Sequence, residues 1–385
     1  MPFALYLLAL AIFAMGTSEF MLAGLLPDIA SDLDVSVGTA GTLTSAFAIG
    51  MAVGAPVMAA LARNRPGRTS LLGFVLVFAA AHAVGAATTG FPVLFATRIV
   101  AALANAGFLA VALTTAATLV APDKKGRALA VLLSGTTVAT VAGVPGGSAL
   151  GAFLGWRATF WAVAAVCLPA AIGVLKGVRA RPDDDEAAGG PVLRSELARL
   201  RSPRLILVML LGALVNAATF AGFTFLAPVV TDTAGLDRLW VPVVLVLFGA
   251  GSFAGITVAG RLSDRRPGAV AAVGGPLLLV GWPALAVLAD RPVALLGLAF
   301  VLGALSFALG STLITRVLYE AAGAPTMAGS YATAALNVGA AGGPIIAATT
   351  LGTTAGELGP LWASGALVLV ALLIMNATDV MARNG

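Results

Sequence analysis

Histidine and cysteine are almost absent from this 385-residue chain, which has one of each, His82 and Cys167. A lone cysteine excludes an internal disulfide framework, and a single His and Cys are too few for the usual zinc ligand sets. Charge is also scarce, because Asp, Glu, Lys and Arg make up 10% of residues, against about 25% in soluble domains. No GxSxG, HExxH or Walker A motif occurs, so the sequence predicts neither an enzyme nor an ATPase.

Long apolar runs make up most of the chain. Hydrophobic residues make up 59% of the chain and its mean hydropathy is +1.02. A membrane-spanning helix needs about 20 apolar residues. The sequence therefore predicts an all-α membrane protein with twelve spans, at 3–26, 39–62, 69–89, 92–120, 126–150, 157–176, 204–230, 240–262, 268–289, 292–318, 325–351 and 359–381.

The basic residues predict the orientation of these spans. With both termini on the cytoplasmic side, 18 of the 22 Lys and Arg fall in inner loops or helix ends, three fall outside and Arg98 lies within a span. This is the positive-inside pattern of a multi-pass membrane protein. The net charge of +5 is then a property of the loops, and it predicts no nucleic-acid partner. The first apolar segment has no basic leader and no A-x-A cleavage pattern, so we expect a retained span.

The chain repeats itself at an offset near 200 residues. Short segments recur in order: LLPD at 25–28 and LAPV at 226–229, FPV at 91–93 and RPV at 291–293, ALARNR at 60–65 and GRLSDR at 260–265. Only one connection is long and polar. The sequence therefore predicts an N-terminal six-helix bundle over 1–176, a cytoplasmic linker over 177–203 and a C-terminal six-helix bundle over 204–385. Two such halves around a central cavity are typical of transporters.

Two charged residues fall inside the predicted spans, Glu19 and Arg98. Counting from the outer span ends at 1.5 Å per residue places both about 10 Å deep, in one layer. Intramembrane charges are costly and usually functional. Glu19 is predicted to carry protons, the alternative being a neutral, hydrogen-bonded packing residue. Arg98 is either its partner or a structural charge that fixes its helix.

The repeat places different side chains at the corresponding positions of the second half. Glu19 corresponds to Phe220 at an offset of 201, and Arg98 corresponds to Leu298 at 200. We therefore expect the first half to handle protons and the second to offer aromatic contact to a ligand. The predicted substrate-binding residues are Met15, Asn105, Asn216, Phe220 and Phe223. The asparagines could instead only bond across helices, and His82 is expected to pack or hydrogen-bond rather than relay protons.

A cluster of small residues around a proline, GVPGG, marks the fifth span. It contains Gly143, Pro145, Gly146 and Gly147. Small residues let helices approach closely, and proline removes a backbone donor. Close packing and a bend at the junction of the two halves are both compatible with this pattern.

These motifs together resemble the major facilitator superfamily, in particular its twelve-span drug:proton antiporters. The resemblance covers essentially the whole chain, and within the group the sequence is most similar to actinobacterial chloramphenicol exporters. Four segments carry it: GTSEFMLAGLLPDIASDL at 16–33, ATRIVAAL around Arg98, GVPGG at 143–147 and GWRATF at 155–160.

The loop at 62–68 is similar to the family's G-x-x-x-D-R-x-G-R loop and keeps Arg65 and Arg68. It departs from that pattern at Ala60, in place of glycine, and at Asn64, in place of aspartate. The second copy keeps Gly260, Asp264 and Arg265, and we expect it to carry more of the conformational control.

The resemblance implies efflux of a small amphipathic antibiotic, chloramphenicol, by alternating access and in exchange for protons. It implies a monomer in the lipid bilayer of a bacterial inner (plasma) membrane, with no cofactor and with the proton gradient as the energy source. Arg98 is the arginine that the resemblance ties to proton coupling. Asp28 is either an accessory acid or a loop or helix-end residue. Export of sugars or other small metabolites, and broader multidrug export, remain open as alternatives.

Overall fold

The computed structural model describes residues 2–62, 66–121, 125–178, 198–263, 269–323 and 327–384. Within these ranges the chain is helical, without strands, and twelve helical segments are long and apolar enough to cross a membrane. The all-α, twelve-span prediction is therefore confirmed. Four residues of the predicted conformational loops, Asn64, Arg65, Asp264 and Arg265, lie outside the described residues, as does most of the predicted linker.

Among the described residues, fourteen α-helices are at least seven residues long. They are α1 (Phe3–Phe20), α2 (Leu26–Asp32), α3 (Val37–Ala62), α4 (Gly67–Ala87), α5 (Phe91–Thr118), α6 (Lys125–Val138), α7 (Val144–Leu154), α8 (Trp156–Gly177), α9 (Pro203–Thr224), α10 (Trp240–Ser263), α11 (Ala269–Leu288), α12 (Pro292–Glu320), α13 (Ala328–Leu351) and α14 (Gly359–Asn384).

The chain divides into two compact units. Unit 1 comprises residues 1–35 and 46–190, and unit 2 comprises 36–45 and 191–385. In unit 1, α1 packs against α6 and α8, and α4 packs against α5 and α8. In unit 2, α10 packs along α12, and α9 packs against α13 and α14. The first turns of α3 thus belong to unit 2 and the remainder of that helix to unit 1, a division that the span pattern did not indicate.

The first predicted span does not continue as one α-helix to residue 26. It leaves the α-helix after Phe20, passes through a 3-10 turn over Met21–Gly24 and resumes as α2, with Pro27 in the first turn. Pro27 cannot donate a backbone hydrogen bond to the preceding turn, and proline is favoured only at a helix start. Unit 2 repeats the break, because α9 ends at Thr224 and Pro228 lies in the short helix Leu226–Pro228 that follows.

The repeat is also present in the packing of glycines. A side chain at Gly50 or Gly54 of α3 would press on α5, and one at Gly251 or Gly255 of α10 would overlap the backbone of α12. The two pairs are 201 residues apart in sequence. Each helix pair therefore approaches closely at equivalent positions of the two units, as small-residue interfaces in membranes do.

The predicted fifth span is interrupted at its glycine-rich centre. Between α6 and α7 the chain forms a π-helical segment over Ala139–Gly143, and the amide of Val144 donates to the carbonyl of Ala139, five residues earlier. Pro145 then lies in the first turn of α7. The π segment supplies the irregular backbone that a proline inside a helix requires.

Candidate functional site

The candidate site lies at the end of α1, where Ser18 and Glu19 precede the break in the helix. Three helices contribute to it: α1 supplies Ser18 and Glu19, α5 supplies Arg98 and α4 supplies His82. Ser18, Arg98 and His82 are all at most 1% exposed. A buried guanidinium needs hydrogen-bond acceptors around it, so its partners define the site.

Arg98 binds Ser18 through both ends of its guanidinium. Nη1 donates to Ser18 Oγ at 2.7 Å, and Nη2 donates to the Ser18 carbonyl at 2.8 Å. The guanidinium also lies over the ring of Phe47, 4.4 Å from its centroid. A planar fork with an aromatic face beneath it is a geometry that arginine provides and lysine does not.

His82 continues the same chain of hydrogen bonds. Its Nε2 is 2.7 Å from Ser18 Oγ, and its Nδ1 is 2.8 Å from the carbonyl oxygen of Phe78, one turn earlier in α4. The imidazole ring lies between Phe78 and Phe160, with centroid distances of 4.3 and 5.6 Å. These contacts agree with the expectation that His82 packs and hydrogen-bonds.

Glu19 differs from its neighbours because its side chain is half-buried rather than buried. Arg98 acts on it electrostatically. Within the described part of the chain, however, no direct ion pair joins Glu19 to Arg98, whose two bonds go to Ser18 instead. The structure thus brings the two predicted residues together, with Ser18 as the direct ligand of the guanidinium.

Asp28, the third predicted proton-coupling residue, lies in the first turn of α2, beyond the helix break. Acidic residues are favourable at that position of a helix. Farther along α2, Asp32 forms an ion pair with Arg157 of α8. Arg157 also donates to the carbonyl of Thr88 at 3.0 Å. Arg157 therefore joins α8 to α2 and to the C-terminal end of α4.

The predicted substrate-binding residues fall in both units. Met15 and Asn105 are buried in unit 1, at 1% and 7% exposure. In unit 2, Phe220 and Phe223 are buried, and the Phe223 ring lies 4.8 Å from that of Phe248. Nδ2 of Asn216 donates to the carbonyl of Leu336 at 2.7 Å. Its amide therefore ties α9 to α13, the interhelical role that was the alternative for the asparagines.

The glycines predicted to control conformation are not equivalent. A Cβ at Gly143 would overlap Oγ1 of Thr17, and one at Gly147 would come within 3.0 Å of Thr159, whereas Gly146 has nothing within 4 Å. Gly143 and Gly147 thus hold close contacts with α1 and α8, while Gly146 is exposed.

The two described residues of the predicted loop motifs lie at helix ends. Arg68, in the first turn of α4, donates to the carbonyl of Leu175 at 2.7 Å, near the C-terminus of α8. A basic side chain at a helix C-terminus satisfies carbonyls that lack a helical partner. Gly260 is exposed near the end of α10.

Sequence reasoning missed Ser18 as the centre of the site. Its hydroxyl binds both Arg98 and His82, yet a serine beside an intramembrane glutamate is not distinctive in a sequence. The available signal was helical depth, because Ser18 lies at the level at which Arg98 was expected. Across the described residues, no group of three His, Cys, Asp or Glu side chains could hold a metal ion.

Comparison with known proteins identifies the family. A model of the Major Facilitator Superfamily matches residues 8–348. The chloramphenicol resistance protein of Streptomyces lividans is 80% identical over 374 residues, 97% of this chain and 95% of that protein. The inner membrane transport protein YdhP of Escherichia coli (strain K12) is 33% identical over 371 residues, 94% of each chain.

The fold also matches a solved transporter. The crystal structure of a bacterial homologue of the human lysosomal transporter Spinster has a TM-score of 0.75 with 18% identity, covering 96% of this chain and 94% of that one. Together with the twelve spans and the family match, this assigns the molecule to transport across a membrane rather than to enzyme catalysis. The chain therefore belongs to the major facilitator superfamily of membrane transporters.

Proposed function

We propose that this transporter exports chloramphenicol, a small amphipathic neutral antibiotic, in exchange for protons. The observation that carries the proposal is the 80% identity, over nearly the whole chain, to a protein named for chloramphenicol resistance. Sequences this similar over their full length normally retain the residues that contact the substrate. The proton gradient is the energy source, and the chain works as a monomer without a cofactor, with both termini in the cytoplasm.

Glu19 is the proposed proton carrier. It is half-buried, it lies in the last turn of α1 beside the buried Arg98, and it has no direct ion pair among the described residues. A carboxylate in this position can gain or lose a proton without first breaking a salt bridge. Proton binding changes the charge next to Arg98, and a charge change of this kind can bias two conformations of a transporter. Asp28 is an accessory acid in this scheme.

The proposed drug contacts are apolar and aromatic. Phe220 and Phe223 belong to a series of phenylalanines that continues through Phe248 to Phe307. Aromatic faces suit the nitrophenyl ring of chloramphenicol better than the hydroxyls of a sugar. Met15 and Asn105, in unit 1, and Asn216, in unit 2, stay predictions as further substrate-binding residues.

The proton-carrier role predicts the outcome of Glu19→Gln. For one-for-one exchange, each unit of pH gradient is worth about 1.4 kcal/mol and supports about a tenfold drug gradient. In proteoliposomes with an imposed pH gradient, we expect the wild type to concentrate chloramphenicol. We expect Glu19→Gln to lose this accumulation while keeping downhill drug exchange, because glutamine cannot release a proton.

The control is Glu320→Gln, at an exposed glutamate at the end of α12. It should accumulate the drug as the wild type does. Undiminished accumulation by Glu19→Gln would show that Glu19 is not the carrier.

Substrate identity is tested in a sensitive bacterial host. Expression should raise the inhibitory concentration of chloramphenicol and florfenicol, and an uncoupler should abolish the effect. Unchanged phenicol sensitivity with verified membrane expression would contradict the proposal. Protection against unrelated drugs as well would favour multidrug export, and competition by sugars for transport would favour metabolite export.

A further inference from the structure

We propose that Ser18 and His82 are positioning residues for proton coupling, which hold Arg98 on the backbone and hydroxyl of Ser18 and so keep it from pairing directly with Glu19. This inference rests on the proposed role of Glu19. It assigns a task to His82, the single histidine of the chain, and to Ser18, for which the sequence predicted no role.

The hydrogen-bond chemistry fixes two of the three hydrogens in this network. The carbonyl of Phe78 can only accept, so His82 Nδ1 carries a hydrogen. The guanidinium of Arg98 can only donate, so Ser18 Oγ accepts from Nη1. When the imidazole is neutral, its Nε2 has no hydrogen to donate, so the remaining bond, at 2.7 Å between Ser18 Oγ and His82 Nε2, runs from the serine hydroxyl to the imidazole. The direction is therefore Arg98 to Ser18 to His82 to the Phe78 carbonyl.

This direction requires a neutral imidazole. A protonated His82 would donate from Nε2 and would place a second positive charge next to the buried Arg98. The neutral Nδ1–H tautomer avoids that repulsion and leaves Nε2 as an acceptor. His82 thus orients the Ser18 hydroxyl so that its lone pairs face the guanidinium.

The network leaves Arg98 with a choice of acceptors. Ser18 supplies two, the hydroxyl and the carbonyl, while the carboxylate of Glu19 belongs to the next residue on α1. Nε of Arg98 is buried and has no hydrogen-bond partner among the described residues. The guanidinium is therefore held by Ser18 at two nitrogens and can still interact with a carboxylate. Removing the hydroxyl weakens the hold of Ser18 and favours direct pairing with ionised Glu19.

Other charges near Glu19 are few. Among the described residues, Arg98 from α5 and His82 from α4 are the ionisable groups that bond this end of α1, and Asp28 lies beyond the helix break in the first turn of α2. Residues 128–154, which include α7, contain no charged residue. On α8, Arg157 is paired with Asp32, Cys167 is buried, and Lys176 lies in the last turn. A change in the protonation of Glu19 on removal of Ser18 Oγ is therefore attributable to Arg98.

The test is the pH profile of drug-coupled proton exchange in proteoliposomes with the full chain, using chloramphenicol as the probe. Direct pairing with Arg98 favours the ionised carboxylate, so Glu19 should take up its proton only at lower pH. For Ser18→Ala and for His82→Phe, we expect the midpoint of the profile to move down by about one pH unit. Ser18→Thr keeps the hydroxyl and should restore the wild-type midpoint.

Two controls distinguish a positioning role from an unspecific loss of stability or activity. Ser252→Ala removes a buried hydroxyl that bonds only its own helix, at the carbonyl of Phe248 in unit 2, and should leave the midpoint in place. The double variant Ser18→Ala/His82→Phe should shift no further than either single variant, because both changes break one chain of hydrogen bonds.

The outcomes distinguish this inference from the proposed function. If the wild type shows no proton-coupled drug exchange, the proposed function fails. If the wild type exchanges protons normally and Ser18→Ala lowers the rate without moving the midpoint, the positioning role is overturned. Additive shifts in the double variant would also overturn it, since the two residues would then act separately.

Discussion

Arg98 is a fully buried positive charge whose partners in this structure are a hydroxyl, a carbonyl and an aromatic face. None of these neutralises the charge. A cation held in this way keeps an unbalanced positive field at the end of α1, where Glu19 lies. A neighbouring carboxyl group can gain or lose a proton in that field. In a tightly closed ion pair, it would first have to break the contact with the guanidinium.

At the residue scale, the geometry of Arg98 predicts that Arg98→Lys is not a conservative change. An ammonium group cannot span Ser18 Oγ and the Ser18 carbonyl as a planar fork or stack flat on Phe47. We expect a loss of stability of about 1.5–3 kcal/mol, the usual contribution of a hydrogen bond to a charged group. Thermal unfolding of the purified protein measures the loss, and drug accumulation in proteoliposomes should fall with it.

Arg201→Lys, at an exposed arginine outside the bundles, serves as the comparison. It should leave both unfolding and transport unchanged. Equal effects of the two substitutions would show that the fork at Arg98 has no special importance.

At the element scale, the packing of the π segment and α7 against α1 explains why the GVPGG motif has a glycine at position 143. Gly143 ends the π segment and faces Thr17, one residue before Ser18. The close approach therefore fixes the turn of α1 that carries Ser18 and Glu19. The motif thus acts on the site through packing, without contributing a polar group.

The motif contains its own control for this interpretation. Gly143→Ala would place a Cβ against Thr17 Oγ1 and the Phe13 ring, and overpacking of this kind costs about 1–3 kcal/mol. Gly146→Ala meets nothing within 4 Å and should be neutral, or stabilising by up to about 1 kcal/mol through helix propensity.

Thermal unfolding and drug accumulation, measured on both variants, provide the test. We expect Gly143→Ala to lower the unfolding temperature and the transport rate. Gly146→Ala should lower neither of them. Tolerance of both substitutions would mean that the close approach to α1 is not required.

At the scale of the whole molecule, the two units repeat one plan with different chemistry. Both have a helix break with a following proline, near Leu25 and Phe225, and both have glycine contacts 201 residues apart. Only unit 1 has charges at the equivalent depth, since Glu19 and Arg98 correspond to Phe220 and Leu298. The repeat preserved backbone packing, while the side chains diverged into a polar site and an aromatic cluster.

The distribution of basic residues predicts the orientation of the whole chain. The C-terminus is expected in the cytoplasm. A green fluorescent protein fused after Gly385 should therefore fluoresce, and an alkaline phosphatase fused at the same place should be inactive. The opposite pattern is expected for reporters fused after truncation at Asp34, which follows the first predicted span. Phosphatase activity at the C-terminus would reverse the proposed orientation.

The sequence alone determined the class of molecule. Apolar runs of spanning length have one stable form in a membrane, the helix, because backbone groups must be satisfied internally. The twelve spans followed from that constraint, the internal repeat followed from recurring segments, and the cost of charge in lipid made Glu19 and Arg98 candidate site residues. The family resemblance added the expected substrate and the link between Arg98 and protons.

Only the tertiary structure decided which atoms meet. Helical depth placed Arg98 in the layer of Glu19, but rotation about each helix axis decides whether its fork reaches the carboxylate or Ser18. The same rotation brings His82 of α4 onto the Ser18 hydroxyl and turns Gly143, but not Gly146, toward α1. Lipid-facing and protein-facing sides are similarly apolar in a membrane helix, so the sequence carries little information about rotation, and packing among the helices supplies it.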